Sequence, residues 1–137
     1  MGLRSASVRE YSRGMTLYAA LLYYPQARYW LNPAEEYTAH GYAEFFEAAT
    51  REDVLRGGEA LRPVEDAATV TVAGDKGGEV AVTHGPASEA KEILGGFYLI
   101  EATDLDEATR WAAQIPAAWR GKVELRPVVP MQNKPGR

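Results

Sequence analysis

The chain predicts an α+β domain, with main elements in the order β-α-β-β-α-β and a β-hairpin inserted ahead of the third main strand. Three observations carry that reading. Segments with strand character at Thr16–Tyr24, Val54–Leu61, Leu94–Ala102 and Lys122–Val129 are separated by turn and helix signals. Two helix-start signatures stand between them, Asn32-Pro33-Ala34-Glu35 and Asp104-Leu105-Asp106-Glu107. Two alternating stretches, Ala68–Ala73 and Glu79–Thr83, flank Gly74-Asp75-Lys76-Gly77-Gly78 and read as a hairpin.

The first strand is an unbroken apolar run rich in aromatic residues, ended by Pro25. In the first helix Asn32 can cap, Pro33 fits the first turn and Glu35 can reach back to the cap. The helix is expected to run to about Arg51, with Tyr37, Gly41, Phe45 and Ala48 on its inner stripe and His40 off it. The second strand carries Gly57-Gly58-Glu59 and stops at Pro63. After the hairpin, His84-Gly85-Pro86-Ala87 turns into a charged segment, Glu89, Lys91 and Glu92. That segment runs to a Gly95-Gly96 break and the strand ending at Ala102. The second helix, capped by Asp104 with Glu107 three residues on, is expected to bury Leu105, Ala108, Trp111, Ala112 and Ile115 until Pro116 ends it. The last strand closes the domain. This order defines the ferredoxin-like arrangement. Domain limits of 15–129 follow, with residues 1–14 and 130–137 expected to be a flexible arm and tail.

Composition narrows the function. The chain has 137 residues, 46% hydrophobic and 25% charged, enough for one domain with its own core. Without cysteine there is no disulfide, thiolate nucleophile or cysteine-bound zinc, which suits a cytoplasmic setting. The net charge of −4 and the lack of a Lys/Arg run argue against nucleic acid as partner. No run approaches a membrane span, and residues 1–14 lack the apolar core of a signal peptide.

The first strand also predicts a quaternary state. Leu17, Ala19, Leu21 and Tyr23 point one way, Tyr18, Ala20, Leu22 and Tyr24 the other, and both sets are apolar. Right-handed crossovers place both helices on one face of the sheet. The other face needs a second cover, because a large bare apolar face invites aggregation. A homodimer is expected.

Several spaced blocks resemble a known family. They are Gly57-Gly58-Glu59-Ala60-Leu61-Arg62-Pro63, the stretch from His84 to Glu101, Asp104-Leu105-Asp106-Glu107-Ala108, and Val123-Glu124-Leu125-Arg126-Pro127-Val128. Together they look like the YCII-related family in its DGPF-containing branch. The resemblance implies a dimeric α+β barrel, two ferredoxin-like sheets packed face to face. It also implies either small lyase-like or dehydrochlorinase-type enzymes using a His/Asp pair, or proteins encoded beside extracytoplasmic-function sigma factors. The chain departs from the branch where Asp-Gly-Pro-Phe is replaced by His84-Gly85-Pro86-Ala87. A carboxylate gives way to an imidazole, and a large ring gives way to a methyl group.

His84 is the candidate catalytic residue, as general acid or base; its plainer reading is a turn histidine bonded to backbone. Candidate substrate-binding residues are Glu59, Tyr98, Arg126, Lys91, Glu89 and Tyr23. Glu59 either anchors a ligand in the barrel or sits in solvent at a strand edge. Tyr98 and Tyr23 offer apolar rings with a hydroxyl tip, or plain packing. Arg126 can clamp an anion or pair with Glu124 on its own strand face. Glu89 and Lys91 match the family's charged loop. The Gly57-Gly58 and Gly95-Gly96 pairs lack the context of a phosphate loop and fit bulges or close strand approach better. His40 and His84 lack metal-ligand spacing, so neither metal nor cofactor is expected.

Two functions stay open. One is a cofactor-free lyase, isomerase or dehydratase acting by proton transfer on a small, aromatic or polyketide-like molecule. The other is a non-catalytic accessory or regulatory module, for example one linked to an extracytoplasmic-function sigma factor.

Overall fold

The structure is a computed structural model that describes residues 14–25, 41–87 and 91–130. Its strands are β1 (Thr16–Pro25), β2 (Leu55–Ala60), β3 (Ala68–Val72), β4 (Val80–His84), β5 (Glu92–Ala102) and β6 (Lys122–Pro127). Its helices are α1 (Tyr42–Arg51), α2 (Leu105–Ala112) and α3 (Pro116–Arg120). β2, β5, β1 and β6 form one antiparallel sheet in that order, while β3 and β4 pair apart from it. Consecutive main strands are separated by a neighbour wherever a helix links them. This is the split β-α-β pattern of the ferredoxin-like α+β class.

β1 works as the centre of the sheet because it is apolar on both sides. Tyr18, Ala20, Leu22 and Tyr24 are buried, on the side that meets the helices. There Ala20, Leu22 and Tyr24 join Tyr42, Phe45 and Ala49 of α1 with Ile100, Ile115 and Ala117 in one core. Tyr18 packs with Ala102 and Ala108. Leu17 is also buried, whereas Ala19, Leu21 and Tyr23 on the opposite side are half-buried.

The helices differ from the sequence expectation in four places. The described part of the first helix starts at Tyr42, after Gly41 at φ 95, so the helix does not run through that position. A left-handed φ suits glycine and cannot continue a right-handed helix. Asn32, Pro33, Glu35, Tyr37 and His40 lie outside the described residues. The stripe buried by α1 is consequently Tyr42, Phe45 and Ala49. The helix stops because Asp53 turns left-handed (φ 57), with Val54 donating to the Ala49 carbonyl at 3.0 Å.

In α2, Asp104 accepts from the Glu107 amide at 2.9 Å, as the capping signature predicts. The Glu107 carboxylate, however, takes the Thr103 amide at 2.6 Å and the Thr103 hydroxyl at 2.9 Å, one residue before the cap. Leu105, expected inside, is 54% exposed, because α2 turns Ala108 and Ala112 to the core and leaves its first residue outside. Pro116 ends the preceding turn and also opens α3, occupying a first-turn position where its missing N–H costs nothing.

The glycine pairs lie inside strands. β5 begins at Glu92 and passes through Gly95-Gly96 without ending, which corrects the expected break. Leu22 pairs with Gly96 and Tyr23 with Leu94, so Gly95 is the extra residue of a bulge. A second irregularity lies between Leu55 and Gly57, where Arg56 is the extra residue. Residues 1–13 and 131–137, expected as arm and tail, lie outside the described residues.

Candidate functional site

A cavity lies between α1 and the β2 side of the sheet, beside the bulge at Gly95. Tyr42 and Phe46, one helical turn apart, face it from α1. Leu22, Tyr24 and Tyr98 line it from the sheet, and Gly58, Glu59, Ala60, Gly95 and Phe97 border it at the strand edge. Its volume is about 180 Å³. The glycines make it fit: a Cβ on Gly58 (φ 156) would stand 2.7 Å from Tyr98 Cδ1 and 2.8 Å from the Phe97 carbonyl oxygen.

The wall is aromatic with hydroxyl tips. The Tyr98 ring stands 4.9 Å from that of Phe45, tilted by 59°, and Phe45 meets Trp111 edge-on at 6.4 Å. Burial, followed by the neighbouring Tyr98, pushes the Tyr42 phenol well above the ordinary tyrosine range. The Arg120 guanidinium and a backbone hydrogen bond at Ala117 pull more weakly the other way. Tyr42 is therefore a neutral phenol at physiological pH, suited to hydrogen bonding and not to acting as a base.

A larger groove, about 1140 Å³, runs between the stem of the β3–β4 hairpin and the end of the main sheet. Tyr23, Ile93 and Leu94 form its sheet wall, Ala67, Pro86 and Ala87 its hairpin wall, and Leu61 to Val64 its floor. Two exposed ion pairs flank this region, Arg62 with Asp66 at 2.9 Å and Lys122 with Glu92 at 3.1 Å. Such exposed pairs add little to stability.

The candidate residues fall in different places. Tyr98 and Glu59 line the cavity, and Tyr23 lines the groove. His84 ends β4, paired with Ala68, exposed and outside the residues lining either hollow. Arg126 is exposed on the edge strand β6, 3.7 Å from Glu124. Lys91 is exposed just before β5, and Glu89 lies outside the described residues. Tyr42, Phe46 and Tyr24 are the lining residues that candidate selection by charge and motif passes over. The i, i+4 spacing of Tyr42 and Phe46 is the signal that points to them. Among the described residues no group of three or more His, Asp or Glu side chains is placed to hold a metal ion.

The fold and cavity define a class: a small ferredoxin-like α+β domain with an aromatic hollow under α1 and one apolar sheet face that no helix among the described residues covers. The chain belongs to the YCII-related family, whose domain matches residues 16–132. It is similar to an uncharacterized protein of Rhizobium meliloti (strain 1021), 41% identical over 78 residues, which is 56% of this chain and 59% of that protein. The chain thus covers somewhat less than two thirds of that relative. No helix among the described residues is long and apolar enough to cross a membrane.

Proposed function

We propose that the protein is a homodimer that binds a small ring-containing molecule in the tyrosine-lined cavity of each protomer. The observation that carries this reading is the cavity itself. An apolar hollow of about 150 Å³ is large enough to take up benzene. One of about 180 Å³ therefore has room for a single substituted ring. Aromatic walls would stack on it, while the phenol tips would select its polar substituents.

The homodimer follows from the uncovered side of the sheet. Cross-strand partners share a face, so Leu21 with Phe97 and Ala19 with Leu99 form a half-buried apolar strip that no helix among the described residues covers. A second copy packed on this strip makes the dimeric barrel that the family resemblance implies. We also place the chain in the DGPF-containing branch, with His84-Gly85-Pro86-Ala87 as a variant of its motif.

Proton-transfer chemistry of the lyase or isomerase kind fits the same site, with a neutral Tyr42 as hydrogen-bond donor. His84 serves as acid or base in this reading only across the dimer, since it lines neither the cavity nor the groove. The accessory-module reading has less support, because it leaves the cavity without a purpose.

The test is binding of phenol, benzoate and 4-hydroxybenzoate by calorimetry to the full chain and to Ala60→Trp, which fills the cavity from its strand edge. Measurable binding that Ala60→Trp removes while its far-UV spectrum is unchanged supports the reading. Equal behaviour of the two proteins toward all three probes counts against it.

A further inference from the structure

The β3–β4 hairpin presents an apolar face that its own protomer leaves bare. Val70 pairs with Val82 and Val72 with Val80, so the four side chains form one stripe. They are 59%, 58%, 44% and 60% exposed respectively. The opposite face carries Thr69, Thr71, Ala81 and Thr83, which is what a solvated face calls for. Two strands alone are marginal in water, and β-branched apolar side chains contribute when their face is covered. The division of valine from threonine points to cover on the valine side.

The area decides what that cover is. Four half-exposed valines offer on the order of 300 Å² of apolar surface, comparable to the largest patch on an ordinary monomer. A stable complex takes about 800 Å² from each partner, so the stripe needs a companion surface. The half-buried strip of Ala19, Leu21, Phe97 and Leu99 is such a surface and is likewise incomplete by itself. The groove lined by Tyr23 and Leu94 on the sheet and by Ala67 and Pro86 on the hairpin stem joins the two regions. One partner lying on the sheet can therefore reach both, and a second copy of the chain supplies complementary apolar area with no other protein required.

We propose that the hairpin is a clasp: its valine stripe docks on the second protomer and extends the sheet-to-sheet interface. This rests on the homodimer reading above. His84 shares the valine face through its pairing with Ala68, so the clasp carries the imidazole onto the partner.

Sedimentation velocity over a concentration series tests it, on the full chain, the pairs Val70→Lys/Val82→Lys and Val70→Thr/Val82→Thr, and Leu21→Lys. The threonine pair keeps side-chain shape and strand preference, so it separates lost docking from an unfolded hairpin. The expected result is a dimer weakened at least 10-fold by either valine pair and dissociated by Leu21→Lys. Lysine or threonine pairs that dimerise as tightly as the unmodified chain, with Leu21→Lys dissociated, overturn the clasp, leave the homodimer standing and assign the stripe to a different protein. An unmodified chain that stays a single protomer at every concentration overturns both.

Discussion

Arg56 Nη2 donates to Glu101 Oε1 at 2.5 Å, with only 7% of Arg56 and 2% of Glu101 exposed. The bulge at Arg56 is what brings the two together. The extra residue in β2 turns the guanidinium toward β5, where it also reaches the Leu55 carbonyl at 2.9 Å. Glu101 pairs with Leu17, so this ion pair lies at one end of the sheet side opposite the described helices.

Removing one member of a buried pair strands the other charge. Glu101→Leu is expected to cost about 3–5 kcal/mol, read from urea denaturation. The double variant Arg56→Met/Glu101→Leu is expected to recover most of that loss, because it leaves no buried charge behind. Equal losses for the single and double variants would show that the pair is not the source.

The cap of α2 makes a smaller and separable contribution. Asp104→Ala leaves the Glu107 amide without its acceptor and is expected to cost about 1 kcal/mol. The Thr103 amide and hydroxyl hold the Glu107 carboxyl below its usual range. A depressed folded pKa gives stability that is present above the unfolded value, near 4.3, and is lost as pH falls through the folded one. Glu107→Gln should therefore narrow the stability difference between pH 7 and pH 3 in matched denaturation curves. An unchanged difference would remove Glu107 from the acid response.

Tyr42 sets the alkaline side. Its pKa is raised by burial, so its contribution is whole below the unfolded value near 10 and declines as pH rises beyond that. Tyr42→Phe is expected to flatten the loss of stability above about pH 10. In a spectrophotometric titration the variant should lose one late-ionising tyrosine. Losing an ordinary one instead would contradict the buried assignment.

Gly58 joins backbone geometry to the cavity. Gly58→Ala forces a Cβ against Tyr98 and the Phe97 carbonyl at a φ that only glycine adopts readily, at a cost of about 2 kcal/mol. The cost is expected to fall in Gly58→Ala/Tyr98→Ala, which removes one of the two obstacles but not the carbonyl. Strict additivity of the two substitutions would show that Tyr98 is not the obstacle.

Strand order, the hairpin and the double-sided apolar character of β1 were all legible in the residues, because a period of two and turn chemistry are local signals. The helices were less so. Asn32-Pro33, read as a helix start, lies outside the described residues, and nothing local shows that Gly41 turns left-handed, since a glycine fits either state. Leu105 looked like core by type, and its exposure depends on how α2 is rotated on the sheet. The site was legible only in part. Glu59 and Tyr98 were within reach of sequence reasoning, while the cavity depends on the Gly95 bulge and on α1 lying over the sheet. The Arg56–Glu101 pair left one trace, a glutamate ending the apolar run Phe97-Tyr98-Leu99-Ile100.

The covering by a second copy of the sheet face opposite the described helices is most directly tested by sedimentation equilibrium of the unmodified chain. A mass twice the 15.0 kDa of the protomer, reduced to 15.0 kDa by Leu21→Lys, is the result expected. A mass of 15.0 kDa for the unmodified chain at every concentration, with the protein stable and soluble, would contradict it.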